Sequence, residues 1–368
     1  MTILLDQIIK DAKKLPLIPL VSSSEYHEKL SLMLRDVNEM MEDTPSINNL
    51  IGNNPLVVMR DNHKNHAQFM ATVFTIGNYE LLARTIPWVY RAYSGHKFTY
   101  DYITVHLYNW LKAIDTHINA ENTKEIKTVY NWMIDKHDVM ISLSQEKQIE
   151  PPPVKPDWME RKNNFLSALL DGDTKKCIEI SNESIKTKND IESFYLQIIQ
   201  PVMYEIGMLW ERGEISVARE HLASAIVSRI LSTNGMRGFS IQKNKGKAVI
   251  CASPNEFHEI GAWMISDVLE YEGWEVKYLG ANMPKEDLIE LLTDFKPHLL
   301  ALSVTMPFNI IKTKEIIRDI KNNSNLSKIK VLIGGRAFNE TTDLWHAAGA
   351  DAFASDVQKM KAIVNSWL

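Results

Sequence analysis

The sequence predicts two successive helical domains followed by an α/β domain built on a parallel sheet. Apolar residues at spacings of three and four run through most of the first 235 positions, which is the periodicity of amphipathic helices. Beyond residue 245, short apolar runs alternate with helical segments, a pattern typical of parallel strands joined by helices. Four prolines within residues 151–156 favour an extended spacer, because proline cannot continue a helix.

The first domain, residues 1–150, is predicted to be helical. Its helical periodicity covers four segments: Ser24–Glu42, Ala67–Arg91, Tyr100–Ala120 and Lys124–Ser144. Gly95 is a plausible helix end, and Thr123 precedes a helix start.

The middle domain, residues 157–240, is predicted to be a bundle of about four helices. Apolar stripes within residues 165–170 and 198–209 support it, as does a further helical segment from His221 to Leu231. The glycine-rich and charged stretch from Gly235 to Gly246 interrupts the periodicity and ends the bundle.

The third domain, residues 245–368, is predicted to be a doubly wound sheet. The predicted strands are Lys247–Ala252, Glu275–Leu279, Leu299–Val304, Lys330–Ile333 and Ala350–Phe353, and the helices between them are Ile260–Tyr271, Lys285–Phe295, Ile310–Lys321 and Thr341–Ala348. A last helix runs to Leu368. Such sheets bind ligands beyond the carboxyl ends of their strands, so the informative residues should follow each strand.

Composition excludes several classes of protein. The net charge of −5 over 368 residues argues against a large basic surface for nucleic acid. No apolar run approaches the roughly 20 residues that span a bilayer. Cys177 and Cys251 are the only cysteines, which excludes a disulfide framework and a cysteine zinc site. We therefore expect a cytoplasmic protein without a nucleic-acid or membrane partner.

Metal-ligating and small residues follow three of the predicted strands. The first strand leads into residues 256–261, where Glu256 stands two positions before His258. A carboxylate at this spacing can fix the tautomer of the imidazole and strengthen it as a metal ligand. The third strand ends in Ser303-Val304-Thr305 and the fourth in Gly334-Gly335, which would leave a slot beside the sheet. Each feature alone is more often an ordinary loop than a site.

Together these three loops resemble the cobalamin-binding module, a helical cap followed by a flavodoxin-like (Rossmann-type) domain, over residues 157–368. The family pattern is D/E-x-H-x-x-G, then S-x-T or S-x-L, then a G-G pair. The resemblance implies that His258 is the lower axial ligand of cobalt and that the nucleotide tail of cobalamin enters the slot. The residues it assigns to the cofactor in this domain are Glu256, Phe257, Gly261, Ser303, Thr305, Gly334 and Gly335.

The predicted cap carries a W-x9-E-H arrangement formed by Trp210, Glu220 and His221. It resembles the cap of light-sensing, adenosylcobalamin-dependent receptors such as the carotenoid-gene repressors, which implies that these three side chains cover an adenosyl group. The plainer interpretation is that Trp210 belongs to the bundle core and that Glu220 and His221 are a surface pair. The chain departs from those repressors at Glu211, where they carry a histidine, so a bis-histidine photoproduct through that position is excluded.

Residues 1–150 lack the helix-turn-helix pattern and basic wing of such repressors. They contain instead many aromatic residues and histidines, among them His63, His66 and His106. A helical domain of this kind joined to a photoreceptor-type module resembles the photocobilins, which implies biliverdin as a second chromophore. The bilin would be held non-covalently, since the domain has no cysteine. The alternative is a dimerisation or partner-binding bundle.

The resemblance therefore implies a non-enzymatic sensor in which light breaks the cobalt–carbon bond of adenosylcobalamin, the cap repacks, and oligomeric state or partner binding changes. A homo-oligomer and a signalling partner in trans are expected. Two alternatives stay open. One is a corrinoid protein of a methyltransferase or mutase system, although residues 1–150 lack the pattern of a substrate barrel. The other is a light-independent cobalamin sensor.

Overall fold

The computed structural model describes residues 3–146, 151–235, 241–339, 341 and 344–368. The chain divides into two compact units: Met1–Gln148 with Glu211–Gly213, and Ile149–Trp210 with Glu214–Leu368. The predicted fold class is confirmed, because a helical region is followed by a helical cap and a parallel sheet with flanking helices. Among the described residues, every helix is too short or too polar to cross a lipid bilayer.

The first unit consists of helices. They are α1 (Ile3–Ala12), α2 (Leu20–Glu42), α3 (Ile47–Leu50), α4 (Leu56–Ile76), α5 (Tyr79–Gly95), α6 (Tyr100–His117), α7 (Lys124–Asp135) and α8 (His137–Gln145). The predicted helix end at Gly95 is confirmed. The prediction of a single helix over Ala67–Arg91 is wrong, because α4 ends at Gly77 in the left-handed conformation and Asn78 caps α5 by accepting a hydrogen bond from Leu81 N at 2.9 Å.

A second predicted helix, Lys124–Ser144, is also two helices, α7 and α8, which meet at Lys136. Lys136 adopts a backbone conformation with φ −92° and ψ 7°, outside the helical region. Apolar periodicity continues across this junction, which is why the sequence pattern does not reveal it.

The cap in the second unit is formed by α9 (Pro156–Asp171), α10 (Thr174–Ser184), α11 (Lys188–Phe194), α12 (Gln200–Glu211) and α13 (Val217–Gly235). A π-helical turn, Tyr195–Ile199, joins α11 and α12 into one continuous helix. Proline at the first position of α9 suits a helix start, since its missing N–H has no partner there. Of the predicted break from Gly235 to Gly246, residues 236–240 lie outside the described part of the chain.

Five strands lie in the described part of the chain: β1 (Gly246–Ala252), β2 (Trp274–Tyr278), β3 (Leu299–Ser303), β4 (Lys330–Gly334) and β5 (Ala352–Ala354). All pair in parallel, in the order β2-β1-β3-β4-β5. The helices between and after them are α14 (Ile260–Tyr271), α15 (Lys285–Phe295), α16 (Ile310–Asn322), α17 (Arg336–Asn339), α18 (Leu344–Ala348) and α19 (Val357–Ser366).

The strand order places the binding edge of this sheet. From β1 the chain turns to β2 on one side, then crosses back to β3 on the other side, so the order reverses between β1 and β3. The loops after these two strands diverge at that switch point and leave a crevice at the carboxyl edge. These two loops, residues 253–259 and 304–309, contain most of two of the three predicted patterns, Glu256 to Gly261 and Ser303-Val304-Thr305.

Candidate functional site

Glu256 lies at the centre of the loops after β1 and β3. Its side chain is fully buried, and both carboxylate oxygens accept hydrogen bonds. Oε1 accepts from the backbone N–H of His258 at 3.2 Å and from His258 Nδ1 at 2.5 Å. An ionised carboxylate only accepts hydrogen bonds, so in the neutral imidazole Nδ1 of His258 carries the proton and Nε2 has the lone pair. The imidazole is thus fixed in the tautomer of an Nε2 metal ligand.

The second oxygen of Glu256 ties this loop to the next strand. Oε2 accepts from the backbone N–H groups of Thr305 at 2.9 Å and Met306 at 2.8 Å, and from Asn309 Nδ2 at 3.1 Å. The Asn309 amide also donates to Asn255 O at 3.2 Å. A single buried carboxylate therefore joins the two loops of the switch point.

Hydrogen bonding decides the charge of Glu256. Burial by itself raises its pKa, but the hydrogen bonds from the ring of His258 and from the backbone N–H groups of Met306 and His258 outweigh burial, so the pKa lies below its ordinary value of 4.5. The group is a carboxylate at neutral pH. Because its donors come from the loop after β3 as well as from His258, its charge stabilises both loops.

The exposed part of the loop after β1 surrounds His258. The His258 side chain is 59% exposed, and Phe257 beside it is 72% exposed, which is unusual for a large apolar residue. Gly261 begins α14, and a Cβ at this position would meet no atom within 4 Å. The three residues thus form an open face beside which a large flat ligand would fit.

The glycine pair after β4 lies against the loop after β3. Gly335 has φ +98°, and a Cβ there would come within 2.3 Å of Val304 O. At Gly334, which pairs with Ser303 of β3, a Cβ would lie 3.0 Å from Ala354 O. Gly335 therefore accepts glycine alone without displacing backbone, and at Gly334 a Cβ would crowd the Ala354 carbonyl, so both positions favour a strand end without side chains.

The predicted cap residues lie on α12 and α13. Trp210 is half-buried at the end of α12, against the hydrophobic core of the second unit. Glu220 and His221 are together in the first turns of α13, where the Glu220 carboxylate accepts from His221 Nδ1 at 2.5 Å and from Ser224 Oγ at 2.9 Å. The His221 side chain is 74% exposed. Glu211, which belongs to the first unit, is buried and paired with Arg91.

Sequence analysis missed the supporting residues of this site. Asn309 is 1% exposed, and its backbone carbonyl accepts from Thr313 Oγ1, which also contacts Ser253 Oγ at 2.8 Å. Asn282 Oδ1 accepts from Asn255 N at 2.8 Å, and Asn255 has φ +62°. An asparagine in a strand-to-helix loop is a usable signal for left-handed backbone, but no pattern pointed to Asn309.

Comparison with known proteins identifies the class. Residues 246–361 and residues 162–233 match two protein families, each described as a B12 binding domain. The first match covers the sheet domain and the second covers most of the cap. The chain is therefore a cobalamin-binding protein whose second unit carries a B12-binding module of cap and parallel sheet.

Its relatives at low identity fall into two groups. Dimethylamine corrinoid protein 2 of Methanosarcina mazei is 24% identical over 164 residues, 44% of this chain and 75% of the relative. The trimethylamine corrinoid protein of Methanosarcina barkeri is 25% identical over 54% of this chain and 94% of the relative. The HTH-type transcriptional repressor CarA of Myxococcus xanthus is 25% identical over 59% of this chain and 72% of the relative.

Asn309→Ala should lower the free energy of unfolding by about 1–3 kcal/mol, because it removes a buried donor from the Glu256 carboxylate and from Asn255 O. Urea unfolding of the full chain measures this loss. Asn322→Ala at the exposed end of α16 is the matched control and should change stability by less than about 0.5 kcal/mol. Equal stability of the two variants would contradict the role given to Asn309.

Proposed function

We propose that the protein is an adenosylcobalamin-dependent light sensor, with His258 as the lower axial ligand of cobalt. The observation that carries this proposal is the Glu256–His258 pair, in which Nδ1 is engaged by the carboxylate and Nε2 of an exposed imidazole is turned to the metal-binding role at the switch point of the sheet. Since the corrin ring supplies four equatorial nitrogens, one protein ligand completes the lower face.

The loops around His258 fit the rest of the cofactor. The open face at Phe257 and Gly261 suits the flat corrin ring, and the strand ends at Ser303 and Gly334 suit the nucleotide tail. Thr305 contributes its backbone N–H to Glu256, which fixes the position of this residue at the strand end, and its hydroxyl would add a hydrogen-bonding group for the tail. The residues of this chain would therefore bind and orient cobalamin from below.

The cap supports the adenosyl form in preference to the methyl form. Trp210 offers a flat apolar surface, and such a surface stacks on an adenine ring with far more contact than on a methyl group. Glu220 and His221 offer a hydrogen-bonding pair at the start of the next helix, and the pair is available because His221 is mostly exposed. When bound, adenosylcobalamin supplies a cobalt–carbon bond that visible light breaks.

The output of such a sensor would be a change in the cap. Trp210 is half-buried, so loss of a group stacked on its ring would expose apolar surface of the ring to water. Because this exposure is unfavourable, neighbouring side chains would move to cover the ring. Val217 and Leu222 on α13 are about half exposed already, at 49% and 48%. Repacking of these helices would alter the cap surface and with it the oligomeric state or the contact with a partner in trans. No catalytic step is assigned to the protein.

Illumination tests this proposal directly. After reconstitution with adenosylcobalamin in the dark, green light should convert the absorbance spectrum to an aquo- or hydroxo-type cobalamin, and the elution volume in size-exclusion chromatography should shift. Trp210→Ala is the matched variant, in which the spectral change persists and the shift in elution is lost. Photolysis at the rate of free cofactor with unchanged elution would favour the corrinoid-protein alternative, and full binding with no response to light would favour a light-independent sensor.

His258→Ala should weaken binding of cobalamin by at least about tenfold, or 1.4 kcal/mol, because the axial nitrogen is lost. Absorbance titration in the dark measures the affinity, and added imidazole should restore a nitrogen-ligated spectrum. Gly261→Ala tests the ring position, since the added methyl group meets no protein atom and should leave the fold intact while lowering affinity. An unchanged nitrogen-ligated spectrum in His258→Ala would overturn the ligand assignment.

For the first unit we propose a second, non-covalent chromophore, biliverdin. The observation in its favour is a cluster of three histidines, His63 and His66 on α4 and His106 on α6. The centroid of the His106 ring lies 4.6 Å from the ring centroid of His63 and 4.6 Å from that of His66. Within the described residues, His63 Nε2 and His106 Nδ1 are buried and have no hydrogen-bond partner. Such unpaired nitrogens are costly in a core and suit a ligand bearing pyrrole N–H groups.

Burial also keeps these histidines neutral. It lowers the pKa of both His63 and His66 to about 3, and that of His106 well below its usual value. Neutral imidazoles both donate and accept hydrogen bonds. Among the described residues, no three His, Cys, Asp or Glu side chains are arranged to hold a metal ion. The cluster can therefore both donate hydrogen bonds to an organic ligand and accept hydrogen bonds from it.

Co-expression with a haem oxygenase tests the second chromophore. The purified chain should absorb in the red, and His106→Phe should abolish this absorbance while leaving cobalamin binding unchanged. His117→Phe at the end of the same helix is the matched control and should keep the red band, because His117 pairs with Asp36 outside the cluster. A chain that stays colourless in the red would reject the bilin and favour a dimerisation or partner-binding role for the first unit.

A further inference from the structure

A buried hydrogen bond joins the cap to the sheet domain inside the second unit. Tyr195, in the π-helical turn between α11 and α12, donates its hydroxyl to the carboxyl group of Asp267 on α14. Tyr195 is fully buried and Asp267 is 6% exposed. The two residues are 72 positions apart in sequence. Neither of them belongs to the proposed cobalamin site, and an acidic side chain in an apolar core requires an explanation.

The surroundings of Asp267 contain few charges. Its titratable neighbours are Glu270 on its own helix, Tyr195 in the cap and Tyr278 on β2, and Tyr271 acts on Tyr195. Glu259 and Cys251 act in turn on Tyr278. None of these groups is a cation.

These surroundings determine the protonation of Asp267. Burial raises its pKa, the hydrogen bond from Tyr195 opposes burial, and the charge of Glu270 adds to it, so that the pKa of Asp267 comes to about 7. Burial also raises the pKa of Tyr195 far above its ordinary value, so the tyrosine stays protonated. The packed interface thus favours a neutral Asp267.

The π-helical turn marks the place where the cap helix is least regular. The backbone N–H of Gln200 donates to the carbonyl oxygen of Tyr195, five residues earlier, which is the hydrogen bond of a π-helix. Pro201 is the next residue after Gln200. In an ordinary α-helix the ring of Pro201 would crowd the carbonyl group of Gln197, four residues earlier, and its missing N–H would leave that carbonyl unpaired. The wider turn avoids this conflict. The segment therefore separates the part of the helix fixed at Tyr195 from the part that carries Trp210.

We propose that the buried Tyr195–Asp267 pair is a proton-dependent latch of the cap: α11 stays packed against the sheet domain while Asp267 is protonated, and it is released when Asp267 ionises, because the packed interface has to bury the new charge. Three features converge on this role, namely the buried pair, its position across the interface between cap and sheet, and the irregular turn that allows one half of the helix to move. The latch belongs to the chain itself and acts whichever ligand the module binds.

The direction of the pH dependence follows from linkage. When the cap helix lifts, Asp267 meets water and its pKa falls toward its ordinary value of 3.8. Between about pH 4 and pH 7 the closed form holds a proton that the open form has lost, so opening becomes more favourable as pH rises, by up to about tenfold per unit. Below this window both forms are protonated, and above it both are ionised, so the dependence flattens at either end.

Hydrogen exchange of the full chain without cofactor tests the latch. Peptides that cover residues 188–211 should lose at least about tenfold in protection between pH 5 and pH 8, after correction for the intrinsic pH dependence of exchange. Asp267→Asn cannot ionise and should show equal protection at both values. In Tyr195→Phe the step should move to higher pH, because the hydrogen bond that lowers the pKa of Asp267 is gone.

Tyr271→Phe is the matched control. It removes another tyrosine hydroxyl from α14, one that donates to Asn234 O at 2.8 Å and not to Asp267, so the pH step should stay where it is in the unaltered chain. A step that persists in Asp267→Asn, or protection that does not change between pH 5 and pH 8 in the unaltered chain, would overturn the latch. If Asp267→Asn does not fold, the position of the step in Tyr195→Phe decides the question.

Discussion

The arrangement of the binding edge depends on one buried carboxylate. Glu256 accepts hydrogen bonds from the loop that carries His258 and from the loop that follows β3, and these two loops flank the switch point of the sheet. A negative charge without access to water is costly, and here backbone N–H groups, an amide and an imidazole stabilise it together. The fold therefore holds the imidazole in one tautomer because it must satisfy the carboxylate.

The same physical problem has a different solution at Asp267. That carboxyl group receives a hydrogen bond from one tyrosine, and none of the described residues that shift its pKa is a cation, so the interface favours its neutral form. Two acidic side chains in one module are thus driven in opposite directions, Glu256 toward the carboxylate and Asp267 toward the acid. The number and kind of their hydrogen-bond donors make the difference.

Much of the α/β domain was predictable from sequence. Helices Ile260–Tyr271 and Lys285–Phe295 were predicted at the observed bounds, and each of the strands β1 to β5 was found within two residues at either end. Buried parallel strands form short apolar runs with clear boundaries, which explains this accuracy. The helical breaks at Gly77 and Lys136 were missed, since apolar spacing continues across both.

The contacts that support the site could not be predicted in the same way. Asn309 and Glu256 are 53 positions apart and meet only because β1 and β3 are neighbours in the sheet. The histidine cluster of the first unit needs α4 and α6 to be packed together, and no single-sequence pattern reports that packing. Residue types within one loop are readable from sequence, whereas pairings between loops and helices require the fold.

The π-helical turn also changes how the cap sequence is to be aligned. One residue takes about 100° of an α-helix, so the extra residue in Tyr195–Ile199 rotates every side chain after it by about that angle relative to those before it. In a related chain with one residue fewer in this turn, the tryptophan that aligns with Trp210 would point in another direction. The residue next to that tryptophan would point where Trp210 points in this chain. The helical repeat before the turn and the repeat after it are therefore offset from each other. Cap residues of two relatives can be compared only when the sequence before the turn and the sequence after it are aligned separately.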